Sequence, residues 1–429
     1  MRPPIPMQQE IWSREVRRTP LDGAGLAHEL AEFAEFGAAT VRASMVAGDG
    51  PTRRVVDTFV NEFWTSAQRQ AHSLHEVSYR ACFKPQLPAF FIERLTAVGD
   101  VVYDPFMGRG TTPLEAALRG RVPCGNDVNP LSAMLLAPRL CTPEQPLVRD
   151  RLNKLNLDFR GEVPDDLHAF YHPQTLRELC ALRAWFLQRE QEGSLDAVDA
   201  WIRMVAVNRL TGHSVGYFSV YTLPPNQATS VLAQRKINEK RNQTPEPRDV
   251  RAIIAKKSAA LLKDLTRVDR ARLAESRTKW LLSTGPAHAT PRIADGTVQL
   301  VVTSPPFLDV VQYASDNWLR CWFCGIDTAA VPITMARTVP LWQEAMQQVF
   351  AELRRVLKPG GFVAFEVGEV KKGTVRLEEA VVPAAVASGL EPVLLLINEQ
   401  EFTKTANCWG IDNNAKGTNS NRIVLLRRG

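Results

Sequence analysis

The stretch Asp104-Pro105-Phe106-Met107-Gly108-Arg109-Gly110-Thr111-Thr112 decides how this 429-residue chain folds. It follows the apolar run Val101-Val102-Tyr103, which reads as a buried strand, and leads into a helix starting near Thr112-Pro113-Leu114-Glu115. Gly108 and Gly110 form the turn, because glycine reaches φ > 0 without a Cβ clash and lets a ligand approach the backbone. The helix after such a turn offers unpaired N–H groups at the C-terminal edge of a parallel sheet. A short second strand, Val122-Pro123-Cys124-Gly125, ends at Asn126-Asp127. An acid about 20 residues beyond a glycine turn is placed to accept hydrogen bonds from ribose hydroxyls.

The third glycine of the dinucleotide fingerprint is absent, which argues against a pyrophosphate cofactor such as NAD or FAD. S-adenosylmethionine has no phosphate but carries a cationic amine and a sulfonium, and an acid at the strand tip, Asp104, suits that cation. Asp104, Phe106, Gly108, Gly110, Thr111, Thr112 and Asp127 are the expected cofactor residues.

About two hundred residues later, Thr303-Ser304-Pro305-Pro306-Phe307 follows a second apolar run, Leu300-Val301-Val302. Two consecutive prolines remove two backbone donors and stiffen the chain just past a strand. That leaves the Ser304 hydroxyl and the Pro305 carbonyl as acceptors beside an aromatic ring. An amine conjugated to a base ring is a poor nucleophile because its lone pair is delocalised. Accepting hydrogen bonds from both its protons favours a pyramidal nitrogen with a free lone pair. Phe307 can stack on the base. Ser304, Pro305, Pro306 and Phe307 are therefore the expected catalytic residues.

With both segments quoted, the chain resembles the amino-methylating DNA methyltransferases, in the cytosine-N4 type. Ser-Pro-Pro followed by an aromatic is typical of cytosine-N4 enzymes, whereas adenine-N6 enzymes usually carry Asp or Asn in place of the serine. Phe83-Lys84-Pro85-Gln86-Leu87-Pro88, then Ile92, is similar to the family segment that precedes the first strand. The resemblance implies that Lys84 and Pro85 help bind the methionine moiety. Leu357-Lys358-Pro359-Gly360-Gly361 with Val363-Ala364-Phe365 is similar to the family's helix–turn–strand. Asn407-Cys408-Trp409-Gly410 and Gly417-Thr418-Asn419-Ser420-Asn421-Arg422 resemble its C-terminal polar loop, between strands at 393–397 and 423–426. The fold implied is Rossmann-like α/β of the class I methyltransferase type, with a mostly parallel seven-stranded sheet, an antiparallel last strand and a largely helical insertion. The order of the two segments matches the family's alpha arrangement, with recognition between them. Two departures stand out. Pro286 occupies the place where the family often has an acid contacting the cofactor adenine, and the candidate third strand, near Trp280-Leu281-Leu282, follows the insertion rather than preceding it.

The expected activity is site-specific methylation of a flipped cytosine at N4, in a restriction–modification setting. The implied partners are double-stranded DNA and a separate, cognate restriction endonuclease. Adenine-N6 methylation, RNA base-amine methylation and a non-catalytic DNA-binding regulator are the alternatives. A cytosine-C5 enzyme needs a nucleophilic cysteine, usually after proline, and Pro123-Cys124 falls inside the second strand instead. No metal is required. Cys321-x-x-Cys324 has a metal-like spacing but sits in an aromatic, helix-like run and reads as packing. Seven scattered cysteines, no apolar run of about 18 residues and no apolar stretch near Met1 lead to the expectation of a cytoplasmic protein without a membrane partner.

The net charge of +6 is unevenly spread. Between Val231 and Trp280 there are fourteen Lys or Arg against six Asp or Glu. Such a stretch can neutralise phosphates, and Arg235, Lys236, Lys240 and Arg241 are the expected DNA contacts, with Asn226 and Gln227 as base-reading candidates. The chain divides into a helical N-terminal extension (1–70, with 55–64 amphipathic), a cofactor-binding half (71–140), an insertion serving target recognition (141–275) and a catalytic half (276–429).

Overall fold

The computed structural model describes residues 19–64, 71–80, 82–222, 227–306, 313–331, 336–367, 375–399 and 420–429. Among these, nine strands form one sheet: β1 (Val41–Ala47), β2 (Arg54–Asn61), β3 (Val101–Asp104), β4 (Val122–Asp127), β5 (Leu281–Thr284), β6 (Val298–Thr303), β7 (Leu357–Val367), β8 (Leu390–Asn398) and β9 (Asn421–Arg428). Their order across the sheet is β1-β2-β8-β9-β7-β6-β3-β4-β5. From β3 the chain steps outward through β4 to β5, all parallel, and then returns to β6 on the other side of β3. The crevice at the ends of β3 and β6 is thus the point where the winding reverses, the place where open α/β sheets bind ligands. β9 runs antiparallel to both β7 and β8.

This is the Rossmann-like class I methyltransferase fold that the sequence implied, with two strands more than the seven expected. The extra pair comes from the N-terminal extension, which was read as helical. Its 55–64 segment is strand β2 over most of its length, not an amphipathic helix. Val55, Val56, Thr58 and Val60 favour an extended chain, and Thr58–Asn61 pairs in parallel with Leu395–Asn398 of β8. A turn with Gly48 at φ +77° and Gly50 at φ +43° closes the β1–β2 hairpin. Asn398, fully buried, accepts from the backbone N–H groups of Phe63 and Trp64 and ties the hairpin to the sheet. A helix, α1 (Gly23–Glu32), precedes the hairpin.

Strand alternation splits the apolar side chains between two faces. Val102, Leu300, Ala364 and Leu425 lie in one layer, with Leu26 and Phe91 of α1 and α2 (Gln86–Leu95). Tyr103, Val301, Phe365 and Val424 lie in the other, against α12 (Val339–Val356) and α13 (Leu377–Ala387), which contribute Phe350 and Val381. Two helices flank the cofactor half, α3 (Thr111–Leu118) and α4 (Pro130–Leu140). The insertion is helical as expected, with α5 (Gln145–Lys154), α6 (Pro173–Gln191), α7 (Ala197–Val207), α8 (Val231–Arg241), α9 (Val250–Leu262) and α10 (Arg267–Ser276). Its buried Trp201, Phe186, Phe218 and Ile254 share a core with Leu114 of α3 and Leu136 of α4. Between β6 and α12 lies α11 (Tyr313–Cys324). No described helix is long and apolar enough to cross a membrane.

Candidate active site

Three strand ends meet at the crevice. Asp104, the last residue of β3, is almost wholly buried. Its Oδ1 accepts from the Phe106 N–H at 3.0 Å and from the Thr303 hydroxyl at 2.6 Å. Burial pushes this carboxyl up to about 7, and its hydrogen bonds to Thr303 and Phe106 pull the other way. The Thr112 hydroxyl donates to the Val302 carbonyl at 3.0 Å. Two bonds therefore stitch the glycine turn after β3 to the end of β6, where Ser304-Pro305-Pro306 begins.

Gly108 and Gly110 both have positive φ, and a Cβ on Gly110 would lie 2.7 Å from Leu136. Gly110 caps α3, whose first residues Thr111 and Thr112 are buried. Asp127 closes β4 and is held at both oxygens. Gly108 N–H donates to Oδ2 at 2.8 Å and Asn129 N–H to Oδ1 at 2.9 Å. Desolvation raises its carboxyl above the ordinary carboxylate range. Beside it, Asn126 donates to the Gly285 carbonyl at 2.8 Å and accepts from Ser283 at 2.8 Å. The pairing Asp127↔Thr284 fixes β5 in register, so Pro286 does stand two residues past this strand, where an acid was expected. β5 also follows the insertion, in the departure noted from the sequence.

The segment before β3 wraps over the glycine turn. Arg109 donates to the Val77 carbonyl at 2.9 Å and to the Phe83 carbonyl at 3.5 Å. The fully buried Arg139 of α4 donates to the carbonyls of Leu74, Leu135 and Arg109, and burial pushes its guanidinium down to about 9. Pro85 is buried at the start of α2 and Lys84 is exposed just before it. Phe106 is half-buried against the layer that holds Tyr103 and Phe365.

At the second segment, the Trp342 indole of α12 donates to the Pro306 carbonyl at 3.0 Å. The rigid Pro-Pro unit is thereby pinned at its second carbonyl, and the one assigned to the base amine is Pro305, one residue earlier. Phe307 lies outside the described residues, as do 407–419 of the polar loop and Asn226. Thr303, Trp342, Asn126 and Arg139 were missed in the sequence. Thr303, adjacent to Ser304 and at the end of an apolar run, was the one with a local signal.

Helix α11 anchors the insertion to this segment. Arg80 pairs with Asp316 at 2.9 Å, Asp316 accepts the Ala228 N–H through its carbonyl, and Trp318 donates to the Thr229 carbonyl. Gln227 is half-buried at the start of that strip. The basic region divides by role. Arg251 donates to the carbonyls of Leu152 and Leu155 at the end of α5, and Lys257 pairs with Glu76. On α8, Lys236 and Lys240 are exposed, Arg235 pairs with Asp166 at 2.8 Å, and Arg241 stacks 3.8 Å over the Tyr221 ring. Cys321 and Cys324 are buried in α11, where burial pushes their thiols up to about 11 and about 12. Such thiols stay protonated and pack. Cys124 in β4 is buried and also pushed up to about 12, unsuited to act as a nucleophile. Among the described residues, no three His, Cys, Asp or Glu form a group that could hold a metal.

The reversed winding, the glycine turn and the acids at the ends of β3 and β4 define a class I methyltransferase fold with its ligand crevice. Residues 31–131 match the N6/N4 methyltransferase family model, described as DNA methylase. The chain is 31% identical over 102 residues to the Type II methyltransferase M.MjaII of Methanocaldococcus jannaschii, covering 23% of this chain and 19% of that protein. It is 22% identical over 295 residues to the Type II methyltransferase M.BsoBI of Geobacillus stearothermophilus, covering 63% of this chain and 56% of that protein. The chain thus matches less than two thirds of the length of either relative. Among solved structures, the rRNA methyltransferase aviRa of Streptomyces viridochromogenes is 12% identical, with a TM-score of 0.33, covering 85% of this chain and 94% of that one.

Proposed function

We propose that this chain is a site-specific DNA methyltransferase that uses S-adenosylmethionine to methylate the exocyclic N4 of a flipped cytosine, in a restriction–modification setting and in the cytoplasm. The observation that carries the reading is the 2.6 Å bond from Thr303 to Asp104, which sets the cofactor-type turn and the Ser-Pro-Pro segment side by side.

The residues present fit the cofactor. Asp104 is an acid that a cationic amine would neutralise, Asp127 can turn a carboxylate oxygen to ribose hydroxyls, and Gly108 and Gly110 leave the backbone open to close approach. Lys84 and Pro85 lie on the segment that would meet the methionine moiety. When bound, S-adenosylmethionine supplies an electrophilic methyl group on a sulfonium. The chain's own part is to make the amine a nucleophile. Ser304 Oγ and the Pro305 carbonyl accept hydrogen bonds from its two N–H groups, Phe307 stacks on the ring, and the pinned Pro-Pro unit holds this geometry. The target must leave the duplex, because a paired amine has neither lone pair nor space. The 141–275 insertion serves recognition, with Lys236 and Lys240 meeting phosphates and Arg235 and Arg241 recruited from their present partners. Asn226 and Gln227 are the base-reading candidates.

Adenine-N6 methylation is the second reading, favoured by the family match, which spans both chemistries. Mass spectrometry of nucleosides from DNA of an expressing host that lacks N4-methylcytosine tests the proposal. A new N4-methylcytosine peak supports it. New N6-methyladenine instead keeps the pocket and overturns the assigned base. No methylated base in DNA carrying all short sites overturns the DNA substrate and points to RNA or to a non-catalytic regulator.

A further inference from the structure

One buried acid near the site has no part in the mechanism so far. Glu366 sits near the C-terminal end of β7, only 7% exposed. The parallel pairing of Thr303 with Phe365 puts Ser304 and Glu366 level with each other at the ends of β6 and β7. A hydrogen bond from Ser304 is among the influences that hold the Glu366 carboxyl down. From the other side, Asn421 at the start of β9 donates through Nδ2 to Glu366 Oε1 at 3.1 Å. A carboxylate only accepts, so a Ser304 hydroxyl bonded to Glu366 spends its one proton there.

That direction matters. A free serine hydroxyl rotates and can present either a proton or a lone pair. A serine whose proton is committed to a carboxylate can only present lone pairs. Accepting from an amine is what the proposed reaction asks of Ser304, and it follows from the acid behind it.

We propose that Glu366 is a positioning residue that locks Ser304 as a hydrogen-bond acceptor toward the target amine, with Asn421 holding the carboxylate in place. This rests on the reading of Ser304 as the amine contact. Among the described residues, two nearby charged groups of the flanking elements are engaged elsewhere. Arg422 of β9 pairs with Glu378 of α13 at 2.7 Å, and Asp104 of β3 is bonded to Thr303. Burial raises the Glu366 carboxyl, and the Ser304 and Asn421 hydrogen bonds oppose that rise. On protonation Glu366 becomes a donor and the lock is lost.

Glu366→Gln is the decisive variant. Its carbonyl can take the place facing Asn421, leaving the amide NH2 against Ser304 and reversing the bond. Single-turnover methylation should fall roughly 100-fold, the scale on which a positioned proton-handling group acts, while cofactor affinity holds. At saturating cofactor, where Asp104 no longer limits binding, the acid limb of the wild-type rate profile should also shrink in the variant. Wild-type-like rates or an unchanged acid limb would overturn the proposal.

A double-mutant cycle of Ser304→Ala and Glu366→Gln on denaturation midpoints is read without any substrate. Non-additive midpoints are expected, and additive ones would break the pair. Should Glu366→Gln fail to fold, Ser304→Ala alone decides. Losing the donor raises the Glu366 carboxyl further, so stability must fall more steeply with rising pH than in wild type, and an unchanged slope overturns the lock. A chain that methylates no base but shows the coupling would refute the proposed function and leave the pair standing.

Discussion

The hydroxyl of Thr303 lies 2.6 Å from the buried carboxylate of Asp104 and donates to it, joining two strand ends that are 199 residues apart in sequence. Because both residues close their strands at the point where the winding reverses, this one bond couples the cofactor turn to the Ser-Pro-Pro segment.

Thr303→Val keeps the shape and removes the donor. A buried carboxylate deprived of a charge-assisted hydrogen bond costs about 1.5–3 kcal/mol. Urea denaturation should show that loss at neutral pH. A midpoint within error of wild type would mean the bond is not formed in solution.

The Asp104 carboxyl, raised to about 7 by burial, makes a pH prediction with a definite sign. Its ordinary value is near 4, so between pH 4 and 7 the folded chain holds a proton that the unfolded chain has released. Stability therefore declines as pH rises through that window, and Asp104→Asn should flatten the decline. A cationic ligand amine favours the ionised form, so S-adenosylmethionine affinity by calorimetry should strengthen from pH 6 to 8, with proton release at the lower pH. A pH-independent affinity would remove Asp104 from the amine's surroundings.

Ser304→Ala should abolish methylation while leaving cofactor affinity unchanged, and near-normal turnover would sink the assigned role. Asp127→Ala should do the reverse and weaken cofactor binding at least tenfold, or about 1.4 kcal/mol. It removes the proposed ribose acceptor and also frees the Gly108 and Asn129 N–H groups. Unchanged calorimetric affinity would argue against this acid as a cofactor ligand.

Gly110→Ala tests the turn itself. At φ +79° a side chain is strained, and the new Cβ would press on Leu136, which is fully buried. Strain plus overpacking should cost about 2 kcal/mol and lower cofactor affinity with it. Gly193→Ala, also at positive φ (+67°) but with nothing within 4 Å of its Cβ, should cost less.

The insertion has its own keystone. Asp199 is fully buried and bonded to Arg151 and to Arg189, the latter at 2.6 Å. Asp199→Ala leaves two arginines facing an empty, buried position, and breaking such a pair costs about 3 kcal/mol. Thermal melting should show it. DNA affinity should fall in the same variant if the 141–275 segment forms the recognition surface.

Local sequence determined the cofactor turn, the acids before and after it and the Ser-Pro-Pro stop, because glycine at positive φ, proline and an acid at a strand tip act within a few residues of their own backbone. The resemblance it carries also implied a largely helical insertion, which α5 to α10 realise. Tertiary structure decided the rest. Residues 41–61 became strands because β8 offered a parallel edge to Thr58–Asn61, and no local pattern announces a partner more than three hundred residues away. Two cations of the basic stretch turned toward the protein for the same reason, with Arg251 drawn to the end of α5 and Lys257 to Glu76. Glu366 reads in sequence as one acid closing an apolar run. Only the register of β6 on β7, and of β9 beyond it, sets that acid behind Ser304, because hydrogen-bond direction depends on which groups the folded sheet brings within reach.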